Sequence, residues 1–128
     1  MRVLIDTAVI LIMADDPRRL SRTAREVLRA GSTELHLSSV SIWEISAKCS
    51  SGKLELSMPL AAAADQWESD YGIKFIDFTV GDGLLEATLP RIHRDPFDRM
   101  LVCQALSRDL VIVTPDREIR GYDVPTIW

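Results

Sequence analysis

Short apolar runs separated by helix-length segments constrain this chain more than any other feature. Runs at 3–5, 35–37, 73–78 and 110–113, some rich in Val and Ile, have the length and side-chain type of buried strands. Between most of them lie patterns of helical period: Leu20 to Ala30 with Gly31 as a stop, Val40 to about Cys49, Leu60 to Tyr71 followed by Gly72, Val80 to Thr88, and Pro96 to Ser107. Strands that alternate with helices run parallel, because the helix carries the chain back to the same end of the sheet. Val124-Pro125-Thr126-Ile127-Trp128 is expected to add a last strand at an edge, where proline is tolerated. The expected fold class is α/β, a three-layer α/β/α sandwich around a central, mainly parallel sheet, in one domain over residues 1–128.

The net charge of −4 excludes a surface coated with basic residues for nonspecific nucleic-acid binding, which needs many Lys and Arg contacts to phosphate. Any such contact has to be local. Arg91, His93, Arg94 and Arg99 crowd one stretch, and Arg117 and Arg120 follow the last strand. These charges are either a solvated face or contacts to an anionic substrate, with Arg94 and Arg99 the candidates. Cys49 and Cys103 lack the spacing of a zinc site or a disulfide framework and read as small core residues. No apolar run approaches the roughly 20 residues of a membrane span, so a cytoplasmic protein is expected.

Acids stand where strands end and helices begin. Asp6 follows Val3-Leu4-Ile5, and Thr114-Pro115-Asp116 follows Leu110 to Val113. In open α/β sheets the strands' carboxyl ends are where ligands bind. Each acid also has a purely local explanation. Asp6 can cap a helix, worth about 1 kcal/mol. Ser41 and Glu44 have capping-box spacing; if Ser39 is the cap instead, Glu44 lies one turn inside the helix and faces the crevice, with Ile42, Trp43 and Ile45 buried around it. Asp95-Pro96 has the form of an N-cap and first helical residue, which places Asp98 at the third helical position as the better ligand candidate. Asp116 is expected to contact a metal or water, with the Thr114 hydroxyl behind it. Clustered carboxylates repel one another unless a proton or cation intervenes, and oxygen-rich sites suit Mg2+ or Mn2+.

Taken together, Leu4-Ile5-Asp6-Thr7, Ser38-Ser39-Val40-Ser41-Ile42-Trp43-Glu44-Ile45, Gly52-Lys53-Leu54, Leu89-Pro90 with His93-Arg94-Asp95-Pro96-Phe97-Asp98-Arg99-Met100-Leu101, and Val113-Thr114-Pro115-Asp116 resemble the PIN-domain ribonuclease family. Within it the likeness is to the small VapC-type toxins of type II toxin-antitoxin pairs, and it spans essentially the whole chain. The resemblance implies a central parallel sheet, Mg2+ or Mn2+ in an acidic crevice and endonucleolytic cleavage of RNA. It places the family's four acids on Asp6, Glu44, Asp98 and Asp116. It also implies a small cognate antitoxin that inserts a peptide near the active site, and a homodimer. Ala8 departs from the pattern, since many relatives carry a polar residue there, and Glu118 adds an acid just beyond Asp116.

Phosphodiester hydrolysis needs an activated water and positive charge at the phosphate, both of which a carboxylate-held ion supplies. Asp6, Asp98 and Asp116 are assigned as ligands, with Glu44 on the same or a second ion. His93 is assigned to the surface or to phosphate contact. The rival from another class is a catalytically silent module whose acids are caps and which acts by docking a protein partner. A receiver domain would show paired acids after the first strand and a lysine after the last, and a haloacid-type phosphatase a second Asp at position 8; neither pattern is found. Leu11-Ile12-Met13 and the helix around Trp67 read either as core or as a groove for a dimer or antitoxin.

Overall fold

Arg2–Ile5 forms β1, Thr7–Asp15 α1, Arg22–Arg29 α2, Glu34–Ser38 β2, Ser39–Ser50 α3, Leu60–Tyr71 α4, Lys74–Ile76 β3, Val80–Leu85 α5, Pro96–Arg108 α6, Val111–Val113 β4 and Thr126–Ile127 β5. The computed structural model describes all 128 residues. The five strands make one sheet in the order β3-β2-β1-β4-β5, and every neighbouring pair is parallel. The sheet is therefore wholly parallel; helices carry the chain from β1 to β2, β2 to β3 and β3 to β4, and the last crossover, from β4 to β5, contains only a 3-10 turn, Ile119–Gly121.

β1 lies at the centre, with Leu4 opposite His36 of β2 and Ile112 of β4. Its side chains alternate between the two faces. Val3 and Ile5 join a core with Val9, Ile10, Leu37, Ile45 and Trp67, while Leu4 joins a second core with Leu101, Val102, Ile112 and Ile119. A sheet apolar on both faces has to be covered on both, which gives the three layers. Trp67 and Met13 are core residues, whereas Leu11 and Ile12 are only half-buried.

Local chemistry sets the helix boundaries. Ser38 caps α3, its hydroxyl accepting from the Val40 amide at 3.0 Å. This corrects the assignment of the cap to Ser39 or Ser41. β2 runs extended through Ser38, so the first residue free to cap is its last, and Ser39 instead accepts from the Phe78 amide. Asp95 caps α6 by accepting from the Phe97 amide at 2.9 Å, with Pro96 at the first helical position as expected. The segment expected to be helical from Val80 to Thr88 divides into α5 and a 3-10 turn, Glu86–Thr88. Gly81 and Gly83 lower its helix propensity, and a Thr79–Asp82 capping box holds what remains. α4 ends at Gly72, whose φ of 66° is the left-handed conformation that glycine adopts without strain.

The strand order reverses at β1. The chain leaves β1 toward β2 on one side and later adds β4 and β5 on the other. That reversal makes the carboxyl ends of β1 and β4 the topological switch point, the place where open α/β sheets bind ligands.

Candidate active site

Asp6 is the residue after β1. Its amide extends the ladder by donating to the Val113 carbonyl at 3.1 Å. It occupies the N-cap position of α1, yet its side chain makes no capping bond. The carboxylate accepts from the Thr114 hydroxyl at 2.6 Å instead. Thr114, fully buried, in turn accepts from the Asp116 amide at 3.0 Å. One hydroxyl at the end of β4 thus fixes both Asp6 and the turn that carries Asp116.

Asp98 lies in the first turn of α6 and Asp116 just beyond β4, and the structure brings them together around a third side chain. His93 Nε2 is 2.9 Å from Asp98 Oδ2, 3.0 Å from Asp116 Oδ2 and 3.2 Å from Glu118 Oε2. The histidine assigned to the surface or to phosphate contact is in fact folded into the acid cluster: its backbone amide donates to the Tyr122 hydroxyl at 2.9 Å, and the ring is held by the Asp95 amide on Nδ1 and the carboxylates at Nε2. No short-range pattern marks His93 for this role.

His93, Asp98 and Asp116 offer donor atoms close enough to share one ion, but the ring's other nitrogen argues against His93 as a ligand. Nδ1 accepts from the Asp95 amide at 3.0 Å. With its lone pair used there, the neutral ring carries its proton on Nε2, and so does the charged ring. A metal-ligating histidine normally shows the opposite arrangement, donating from its second nitrogen. His93 is therefore an N–H donor standing among the carboxylates where a cation would stand. Replacing it with alanine should lower the melting temperature of the metal-free protein at pH 8 by a few degrees, on the order of 1 kcal/mol. The same change should enlarge the rise in melting temperature on adding Mn2+. A smaller rise than wild type would make His93 a ligand after all.

Glu44 is buried on α3 as expected, but its carboxylate accepts from Lys48 Nζ at 2.7 Å, one turn on. It reaches the other acids through its charge, which Asp6 feels together with that of Asp116. Ser41, one turn earlier, accepts a buried hydrogen bond from the Thr7 hydroxyl at 2.8 Å, bolting α1 to α3 beside the site. The i,i+4 spacing of Glu44 and Lys48 is the one signal that could have revealed the ion pair in advance.

Two expectations are corrected. Trp43 was expected to be buried beside Glu44; it is 62% exposed, because α3 turns Val40, Ser41, Glu44 and Ile45 inward and leaves position 43 outside. Arg99 was a candidate for substrate contact. Its side chain is instead buried against Glu86, the Pro90 carbonyl and the Tyr122 hydroxyl, which consume the guanidinium's donors. Arg94 remains exposed, and Asp95 is engaged as a cap.

The electrostatics follow from burial and like charge. Burial raises the Asp98 carboxyl, and the charges of Asp6, Asp95 and Asp116 raise it further, to about 7 against the influence of His93. Burial also lifts Asp6, opposed by the Thr114 hydrogen bond. Asp116 is held below its usual value, because the amides of Glu118 and Ile119 and the His93 N–H outweigh its partial burial. Burial alone would lower the His93 ring, but the hydrogen bond to Asp116 and the facing carboxylates raise it overall. A pocket that keeps one carboxyl protonated near neutrality is short of positive charge. An oxygen-rich donor set in that condition fits a hard divalent ion.

The family model described as PIN domain matches residues 3–125. The chain belongs to the PIN domain family. No match was found among curated proteins. Three crystal structures similar to this PIN domain are VapBC2 from Rickettsia felis bound to a DNA fragment from their promoter, DNA-bound VapBC from Salmonella typhimurium, and the toxin-antitoxin system VapBC-5 from Mycobacterium tuberculosis. The identities are 13%, 16% and 18%, with TM-scores of 0.75, 0.70 and 0.62. The alignments cover 99%, 99% and 98% of this PIN domain and 98%, 97% and 97% of the respective chains. At such identities the likeness establishes the fold. No helix of this PIN domain is long and apolar enough to cross a membrane.

Proposed function

We propose that this PIN domain, one unit over residues 1–128, is a metal-dependent endoribonuclease of the VapC type, the toxin of a type II toxin-antitoxin pair. The observation that carries the reading is geometric: Asp98 and Asp116 stand 2.9 and 3.0 Å from His93 Nε2, and the Thr114 hydroxyl ties Asp6 to the turn that carries Asp116, all at the switch point of the sheet. Asp6, Asp98 and Asp116 are the ligands in this reading, and Glu44 joins them or holds Lys48 in reserve. The ion is Mg2+ or Mn2+. When bound, it supplies an activated water and stabilises charge on the phosphate. Thr114 keeps Asp6 and Asp116 at a fixed separation, the Asp95 amide fixes the His93 ring, and the exposed Arg94 is available to a phosphate of the RNA.

The antitoxin is assigned to a groove of about 450 Å³ beside α1, whose lining includes the apolar Ala8, Leu11, Ile12, Leu54 and Leu56 and the charged Arg19 and Glu55. The similar solved structures are toxin-antitoxin complexes, which supports a partner of that kind. A homodimer in the cytoplasm completes the reading.

Incubation of the purified protein with single-stranded RNA tests it. Cleavage with Mn2+ or Mg2+ should vanish in EDTA, return when the ion is restored, and fall at least 100-fold in Asp116→Ala. Equal cutting in chelator would overturn the metal site. Absence of both Mn2+ binding and a Mn2+-induced rise in melting temperature would leave the silent docking module, since an ion that binds only the native state must stabilise it.

A further inference from the structure

Trp43 is the largest side chain left in solvent, and its position is specific. It precedes Glu44 on α3, while Phe97 precedes Asp98 on α6. The two rings meet across the helices with centroids 5.3 Å apart and planes inclined at 37°. This tilted pair fixes the indole against Phe97 yet leaves Trp43 62% exposed. The two rings thus pair on the helices that carry Glu44 and Asp98, each one residue from an acid assigned to the site.

The aromatic pair contributes some stability of its own, but the buried residues of α3 are Val40, Ser41, Glu44 and Ile45, so Trp43 packs outside the core. Exposing an indole is unfavourable in water. What a fixed, half-open aromatic pair can do is stack the face of an unpaired base, which any base offers and which tolerates sequence variation. We propose that Trp43 and Phe97 form a stacking platform for an unpaired base of the RNA strand next to the scissile phosphate. The proposal rests on the ribonuclease reading and specifies its substrate, single-stranded RNA with at least one splayed base beside the cut. The occupant is argued from chain continuity: Phe97 directly precedes Asp98 and pairs with Trp43, so a base of a strand whose phosphate sits at Asp98 is about one nucleotide from the rings.

The test uses the intact protein with Mn2+ and short single-stranded RNAs, each carrying one abasic nucleotide at a different position. For wild type, one position near the cut should raise KM about ten-fold, the effect of losing one stacked base. Trp43→Ala should raise KM on intact RNA to a similar degree with kcat less affected. It should also lose the sensitivity to that abasic position. Trp43→Phe and Trp43→Tyr should recover most of the loss, and Phe97→Leu should resemble Trp43→Ala in part. If wild type cleaves but Trp43→Ala shows unchanged KM and the same abasic profile, the platform is wrong while the nuclease reading stands. If Trp43→Ala changes only the oligomeric state or antitoxin binding, a protein occupies the rings and the proposal is overturned. If wild type neither cuts nor binds any of these RNAs, the ribonuclease reading itself fails.

Discussion

Asp98→Asn is expected to abolish RNA cleavage while making the metal-free protein more stable at pH 8. The carboxyl titrates near 3.8 when unexposed to its neighbours and at about 7 in the fold. Between those values the native state binds more protons than the unfolded state, so stability falls as pH rises through the window. Below about pH 4 both states are protonated and nothing is lost. At pH 8 the full penalty applies, with a ceiling of about 4 kcal/mol for a shift of this size. Asparagine keeps the shape of the neutral acid without its charge, so a gain of about 1–3 kcal/mol is expected at pH 8 and almost none at pH 4. Thermal melts at the two pH values measure this directly. Mn2+ should raise the melting temperature of wild type far more than that of the variant, and wild-type affinity should climb with pH as the ion displaces a proton. A variant less stable than wild type at pH 8 would mean that Asp98 is not held against its neighbours' charge.

The second large effect concerns a residue that touches no acid of the pocket. Arg99 Nε donates to Glu86 at 2.7 Å, while its Nη1 donates to the Pro90 carbonyl at 2.8 Å and the Tyr122 hydroxyl at 3.1 Å. Tyr122 also receives the His93 amide, so the arginine anchors the segment that aims the imidazole. Glu86 is half in solvent, and the ion pair itself contributes modestly. The larger cost of Arg99→Ala comes from stranding the carbonyl and the phenol, about 3 kcal/mol in all. Urea titration should show that loss as a lower midpoint. Arg99→Lys keeps the charge but not the planar fork and should fall between. A change within about 0.5 kcal/mol, the range of ordinary surface substitutions, would refute the anchoring role.

Much of this architecture is legible in the residue order because its signals are local. Val3-Leu4-Ile5 and Leu110 to Val113 are buried on both faces and so are apolar without interruption, and Asp95-Pro96 announces the start of α6 by its own geometry. Asp6 and Asp116 stand out because each closes a strand. What escaped notice depends on contacts between distant segments. The Asp-Pro-Phe-Asp-Arg stretch gives no sign that its arginine turns away toward Glu86, or that the histidine just before it turns in. α3 inverts the usual pattern by burying Ser41 and Glu44 and exposing Trp43. A period-3.6 reading that sorts apolar from polar residues assigns that face wrongly, because Ser41 is held inside by the Thr7 hydroxyl and Glu44 is paired with Lys48.

The hydrogen bond from Thr114 to Asp6 joins positions 108 residues apart. Synthesis proceeds from the amino end, so a growing chain on the ribosome lacks β4, Thr114 and Asp116 until nearly all of it has been made. The α1 groove, by contrast, draws its lining only from residues between Ala8 and Ser57. On the proposed reading, a nascent copy makes the residues of its docking surface well before its cutting edge is complete, and an inhibitor already present would have the later part of translation in which to arrive.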